Sequence, residues 1–411
     1  MKLLARDGTP GPGRLPACPT CTESTYWWGR LVACPDRVFH PIIFLALLLI
    51  FARLLPAQVA KFRVRESAGL RRFSIPVRTS IRTDASPLAL HENGKPIPAQ
   101  FTPRGDGTVE IDFNASHAPR EVREYRVERG DGPPVANNMS IGQANGVFSV
   151  RSGLQYDVPE NLLGLLRQVS TGKLSYLRPG SQGLVLNYKD DVEFRAGGTG
   201  HWNVPIKATV TKRGPLVCGV RFESMEGLRG DRSVKSVVEM EFPRSKSWVE
   251  VRWAVDDPNR WVTAMMADLN LLMEGGPTVV DFGANNTVYL GLRPGQRAAL
   301  SASMPVQSDS PLWFVRLGSD IYASGMKAPA EGWAHIMDPQ RSTAVALDAF
   351  GRESNDRIEV SADGRFVIRR EIVRGNERYM RFWIHFVSSP VQIGAATSPQ
   401  AILNPLRVEW E

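Results

Sequence analysis

In the stretch RYMRFWIHF, Tyr379, Arg381, Trp383 and His385 alternate with Met380, Phe382, Ile384 and Phe386. On a strand, successive side chains point to opposite faces. The four apolar residues therefore mark one face, and the two rings, the guanidinium and the imidazole share the other. Such a face suits a pyranose: its C–H side stacks on a ring, and its hydroxyls and carboxylate take charge-assisted hydrogen bonds. The competing reading packs Trp383 and Tyr379 against a neighbouring sheet and leaves Arg381 and His385 at its rim. A second candidate is Gly200-His201-Trp202-Asn203, beside the glycine-rich stretch from Arg195 to Thr199. It presents His201 and Trp202 to a ligand, or it is a hairpin with a surface Trp. A third is Trp333-Ala334-His335 near Asp338, where Trp333 and His335 share a strand face and His335 is otherwise a local hydrogen-bonding residue.

The chemistry that would unite these residues is removal of a proton from a uronate. That reaction requires a base for the α-proton, a group that neutralises the carboxylate and an acid for the leaving oxygen. His201, His335 and His385 are the candidate catalytic residues; Tyr379, Arg381, Trp383, Trp202 and Trp333 are the candidate ligand-binding residues. No HExxH, GxSxG, P-loop or GxGxxG signature stands in the right context, so no metal site and no cofactor is expected. Asp256-Asp257 before Pro258 reads as turn chemistry, with acid–base work or calcium as the alternative. Cys218, between Val217 and Gly219, reads as a buried inert thiol.

The elements that must position these residues are strands. Val109, Ile111 and Phe113 alternate with Glu110 and Asp112, and Val249, Val251, Trp253 and Val255 with Glu250, Arg252 and Ala254. Turn pairs recur at Asn93-Gly94, Asp106-Gly107, Gly214-Pro215 and Asp363-Gly364. Period two with such punctuation is strand-and-turn writing. Two helical segments stand out. From Pro159 to Val169, Leu162, Leu165, Leu166 and Val169 fall on one helical face, and Ser398-Pro399 has a cap followed by proline at the first position. The expected fold is all-β, in sandwiches or barrels that manage sheet edges. The turn-rich Gly130–Pro134 divides a small set of strands from a larger one.

The most apolar run, Pro41 to Ala52, is interrupted by Arg53. It falls short of the roughly 20 residues of a bilayer span, but fits a signal h-region of about 7–15. Arg37 precedes it, and Pro56-Ala57 offers a cut. Cys18, Cys21 and Cys34 lie before the run and only Cys218 after it. These features predict export, secreted or periplasmic after cleavage; the alternative is a membrane anchor through residues 38–57. Residues 1–37 read as an unused extension, with Val38 as an alternative start. The formal net charge is +8 with the basic residues interspersed. No aromatic-basic nucleic-acid motif accompanies them, so nucleic acid is not an expected partner. A mild positive field suits an acidic polysaccharide or an anionic surface.

The order of several stretches adds a resemblance. FRVRESAGLRRFSIPVRTSI, LHENGKPIPAQF and VEIDFNASHAPREVREYRVERG precede NGVFSVRSG, YLRPGSQGLVL, RGPLVCGVRFE and FPRSKSWVEVRWAVDD. EGWAHIMDPQRSTAVALDAFG and RYMRFWIHF close the series. Together they resemble the exo-rhamnogalacturonan lyase-like family, over residues 61 to about 410. The resemblance implies a small N-terminal β-barrel followed by a large galactose-mutarotase-like β-sandwich. Residues 1–57 would then be leader and signal or anchor, 58–132 the barrel and 133–411 the sandwich. The family's C-terminal α/α toroid is not matched, and in toroid-plus-sandwich lyases much of the catalytic machinery lies on the toroid side. The expectation is therefore an exported accessory or binding module for acidic, pectin-like polysaccharide. The alternatives are a lyase or epimerase using the sandwich cleft, with a separate toroid-domain protein as partner, and a structural envelope protein without a sugar ligand.

Overall fold

A computed structural model describes residues 58–411, except 137, 173, 189–191, 196–206, 228–232, 274–277, 303–309, 353, 373–377 and 388–396. His201 and Trp202 lie outside the described residues. The fold is all-β, as the alternation predicts, with antiparallel pairing throughout its sheets.

The larger part is a sandwich of an eight-stranded and a nine-stranded sheet. Met265, Ala267, Leu300, Ile358 and Ile368 of the first meet Val220, Met240, Val251, Phe382 and Ile384 of the second in one core. A five-stranded sheet, beginning with Ser140–Ala144 and Val147–Ser152, adds Phe148, Tyr156 and Val158 to it. The strand Tyr379–Val387 lies inside the nine-stranded sheet, between Trp248–Asp256 and Ser342–Leu347. Its apolar face, Met380, Phe382, Ile384 and Phe386, points into this core.

The first strands form no closed barrel. They build a small sandwich in which Ile75–Arg82, Thr108–Ala115 and Ala99–Pro103 form one sheet and Gln58–Arg65, Val122–Arg129, Leu88–Glu92 and Lys95–Ile97 belong to the other. The two sheets share no ladder. The outer edge of Gln58–Arg65, which closure would need, is occupied by the last strand, Arg407–Trp410, in the register Phe62↔Trp410 to Arg65↔Arg407. Phe62 stacks on Tyr125 at 5.4 Å between ring centroids, and Phe113 meets Tyr125 at 5.0 Å. Trp248, Trp333 and Trp383 of the nine-stranded sheet join this second core, as do Ile402 and Leu406. The small sandwich therefore sits on the outer face of the large one through shared apolar packing.

The two helical expectations part ways. Thr397–Leu403 is helical. Between the strands Leu154–Pro159 and Gln168–Thr171, Glu160 to Arg167 is a turn. Leu162, Leu165, Leu166 and Val169 do share burial. However, Leu162, Gly164 and Leu165 have φ of 54°, 77° and 63°, which a right-handed helix does not admit.

Candidate functional site

Pairing across the nine-stranded sheet aligns one row of residues: Lys212, Gly219, Glu241, Glu250, Trp383, Ala346 and Trp333. Directly paired residues point to the same face. This row therefore faces the small sandwich, with the charged residues at one end and the Trp residues at the other. Between the two sandwiches lies a cavity of about 430 Å³. Glu241, Glu250, Arg252, Tyr379, Arg381 and Trp383 line its large-sheet side. Arg78 and Asp112 line its small-sandwich side, and Ile402 and Leu406 border it.

The polar wall is a continuous chain of alternating charge. The ammonium of Lys212, wholly buried, donates to Asp112 Oδ2 at 2.7 Å and lies 3.1 Å from Glu241 Oε1; it also contacts Glu110. Arg78 Nε is 2.9 Å from Asp112 Oδ1 and 3.0 Å from Glu110 Oε1, and its Nη2 pairs with Glu241. Arg252 Nη2 reaches Glu241 at 2.8 Å, and Arg381 Nε donates to Glu250 Oε1 at 2.9 Å. On the cavity lining itself, three cations, Arg78, Arg252 and Arg381, face three carboxylates, Asp112, Glu241 and Glu250, and their formal charges cancel; Lys212 and Glu110 lie behind them.

Burial opposes ionisation of Glu250, but Arg381, Arg252 and Arg78 outweigh it and hold the carboxyl below its ordinary range. Against the same penalty, Arg78 and Lys212 take Glu110 down to about 2. Burial lowers Lys212, and raises the Tyr379 phenol so that it keeps its proton near neutrality. These groups offer fixed donors and acceptors, and Glu110 and Glu250 are held as carboxylates rather than as protonated acids.

Tyr379, Arg381 and Trp383 are brought together at this cavity. Trp383 is only 6% exposed, and the Arg381 guanidinium lies over its ring at 4.6 Å, so it offers an edge rather than an open platform. Trp333 is fully buried, donates from Nε1 to Glu331 at 2.6 Å and does not line the cavity. A second row on the same face runs Trp248, His385, Ala344, His335 and Asp281. It aligns His335 and His385 one strand apart, away from the cavity lining. His335 Nδ1 is 3.5 Å from Asp281 Oδ2. Burial lowers His385 to about 4, with His335 and Lys246 adding to the effect, so its ring is neutral near pH 7. Asp257 accepts from the backbone of Trp261 at 3.0 Å and Val262 at 2.8 Å, which is turn chemistry. Cys218 is buried, and burial pushes its thiol up to about 11.

Arg78, Asp112, Lys212, Glu241, Glu250 and Arg252 were not singled out by sequence reasoning. For Asp112, Glu250 and Arg252 the signal was present in VEIDF and VEVRW, where charges alternate with apolar residues. Alternation describes a solvated face and a face covered by a second sandwich equally well. Among the described residues no group of three or more His, Cys, Asp or Glu is arranged to hold a metal ion, and no helix is long and apolar enough to cross a membrane.

No protein-family model matches the chain, and no curated protein matches it. Solved structures do. An alpha-mannosidase from Enterococcus faecalis V583 superposes with a TM-score of 0.56 at 9% identity, over 90% of this chain and 48% of that one. A protein in glycosyl hydrolase family 38 from Enterococcus faecalis gives a TM-score of 0.53 at 8% identity, over 86% and 47%. The chain thus spans about half the length of these structures, and at such identities the likeness concerns the fold alone. The all-β class and the large β-sandwich stand as the sequence reading placed them.

Proposed function

We propose that the protein binds carbohydrate, holding a sugar unit in the cavity between the two sandwiches without cleaving it. The observation that carries this reading is the charge-balanced wall of alternating donors and acceptors, bordered by Tyr379 and Trp383. Each sugar hydroxyl both donates and accepts, so it matches carboxylates and guanidiniums set side by side. The volume of about 430 Å³ lies within the range of small-ligand pockets. The two structural neighbours described above are named as an alpha-mannosidase and a glycosyl hydrolase family 38 protein, which is consistent with a sugar ligand.

Binding is favoured over β-elimination for a geometric reason. His335 and His385 do not line the cavity, and Lys212 is engaged by carboxylates. The full proposal is an exported binding or accessory module for an acidic, pectin-like polysaccharide. Support for export comes from the Pro41–Ala52 run and the cysteine partition; support for the acidic sugar comes from the family resemblance.

Calorimetric titration with neutral and uronic oligosaccharides tests the cavity. Tyr379→Phe removes one hydroxyl, and Arg381→Gln removes a charged donor. Arg381→Gln is expected to weaken binding by about tenfold or more, since a hydrogen bond to a charged group is worth about 1.5–3 kcal/mol. A parent protein that titrates with no sugar of the panel, or one whose binding survives both changes intact, ends this reading.

A further inference from the structure

A second, larger cleft of about 860 Å³ opens on the far side of the five-stranded sheet's turns. Its lining includes Arg167, Arg178, Asn145, Asn161, Gln168 and Ser181, and among the described residues it contains no carboxylate and no aromatic ring. Glu160, next to it in the chain, accepts a hydrogen bond from Gln143 at 2.7 Å. Arg178 is held in place: Nε donates to Asn270 Oδ1 at 2.6 Å, and among the described residues its one ion pair is to the well-exposed Asp363 at 3.4 Å. Arg167 is exposed and has no ion pair among the described residues. One wall is the turn 161–166. Leu162 and Leu165 hold left-handed backbone there, with their side chains fixed in the core. Gly183 lets this turn seat, since a Cβ there would stand 2.7 Å from the Leu165 nitrogen. Strained non-glycine residues persist where the surroundings over-determine them, and they cluster at ligand sites.

We propose that this cleft is a separate binding site for a carboxylate-bearing sugar unit. Arg167 and Arg178 take the carboxylate, and the amide and hydroxyl side chains take the ring hydroxyls. The charge contrast with the first cavity is the reason: there every lining cation is paired with a carboxylate, whereas here Arg167 has no ion pair among the described residues and Arg178 has one long pair to an exposed carboxylate outside the lining. A nucleic acid is a poorer fit, because no ring is present on which a base could stack. The proposal goes beyond the cavity reading and does not depend on it.

Titration with trigalacturonate, neutral galactotriose, a sulfated trisaccharide and inorganic phosphate tests it. Trigalacturonate is expected to bind with an affinity that falls as salt rises. Arg167→Gln should weaken it about tenfold, and Arg167→Glu further, with the melting temperature unchanged because the side chain is exposed. Binding of a neutral sugar in the first cavity should be unaffected by either. The proposal fails if trigalacturonate does not bind, or if Arg167→Glu and Arg178→Gln both bind it as tightly as the parent. It also fails if the sulfated sugar or phosphate binds as tightly, which would make the cleft a general anion site. Binding that Arg167→Gln weakens but that Tyr379→Phe and Arg381→Gln leave intact would sink the first-cavity reading and leave this one standing.

Discussion

Lys212 is a fully buried ammonium surrounded by Asp112, Glu110 and Glu241, with Arg78 across the same carboxylates. Pairing makes such burial tolerable, and removing one partner strands the rest. Lys212→Met should therefore cost about 3–5 kcal/mol in urea denaturation, and adding Asp112→Asn should restore part of it. Equal losses in the single and double variants would show that the charges do not act together. Trp383, 6% exposed in the second core, is expected to behave as a packing residue: Trp383→Ala should lower stability by about 3–5 kcal/mol. Glu66 contributes to the acid limb, beside Glu110 and Glu250. Burial opposes its ionisation, but the Arg120 backbone N–H, Arg72 and the neighbouring backbone N–H groups take it down from 4.5 to about 2. Its folded value lies below its unfolded one, so its stabilisation is full above about 4.5 and fades as pH falls towards 2. Glu66→Gln should lower the melting temperature at pH 7 and flatten its fall between pH 4.5 and 2. A variant whose acid limb matches the parent's would assign that limb to other carboxylates.

At the scale of elements, the end of the chain completes its beginning. Arg407–Trp410 pairs with Gln58–Arg65, Trp410 meets Phe62 at 4.8 Å between ring centroids, and Glu409 takes Arg65 at 2.8 Å. The preceding helix is tied in by Arg72, which donates to the carbonyls of Ala401 at 2.9 Å and Asn404 at 2.6 Å. Ending the chain at Leu406 would expose the edge of Gln58–Arg65, and open edges pair with other chains. The shortened protein should melt earlier and scatter light as its concentration rises. Unchanged melting and monodisperse behaviour would mean that the last strand is dispensable. The turn at 161–166 teaches a different lesson. Four leucine and valine positions at helical spacing are all buried, yet the backbone reaches that burial through left-handed residues. Spacing alone cannot distinguish the two routes.

At the scale of the molecule, the two cores meet at the nine-stranded sheet, which gives one face to each. Trp248, Trp333 and Trp383 bring large side chains of that sheet into the core of the small sandwich, and the Lys212 network ties the same interface. The two sandwiches should therefore unfold together. Calorimetry of residues 58–411 is expected to show one endotherm, with calorimetric and van't Hoff enthalpies equal. Two resolved transitions would mean that the shared core and charge network do not couple them.

The sequence by itself determined the fold class, because alternation along a strand is a local property and a period of two survives without knowledge of what lies opposite. It also determined which face of Tyr379–Val387 is apolar, and it grouped Tyr379, Arg381 and Trp383. Only the tertiary structure decided what covers their face. Arg78, Asp112, Lys212, Glu241 and Glu250 come from distant strands, and each looks like a solvated charge until the small sandwich settles over the nine-stranded sheet. The same step placed His335 and His385 in a neighbouring row and used the last strand where a barrel would have closed. Register and docking depend on the sum of many long-range contacts, which no local stretch of residues encodes.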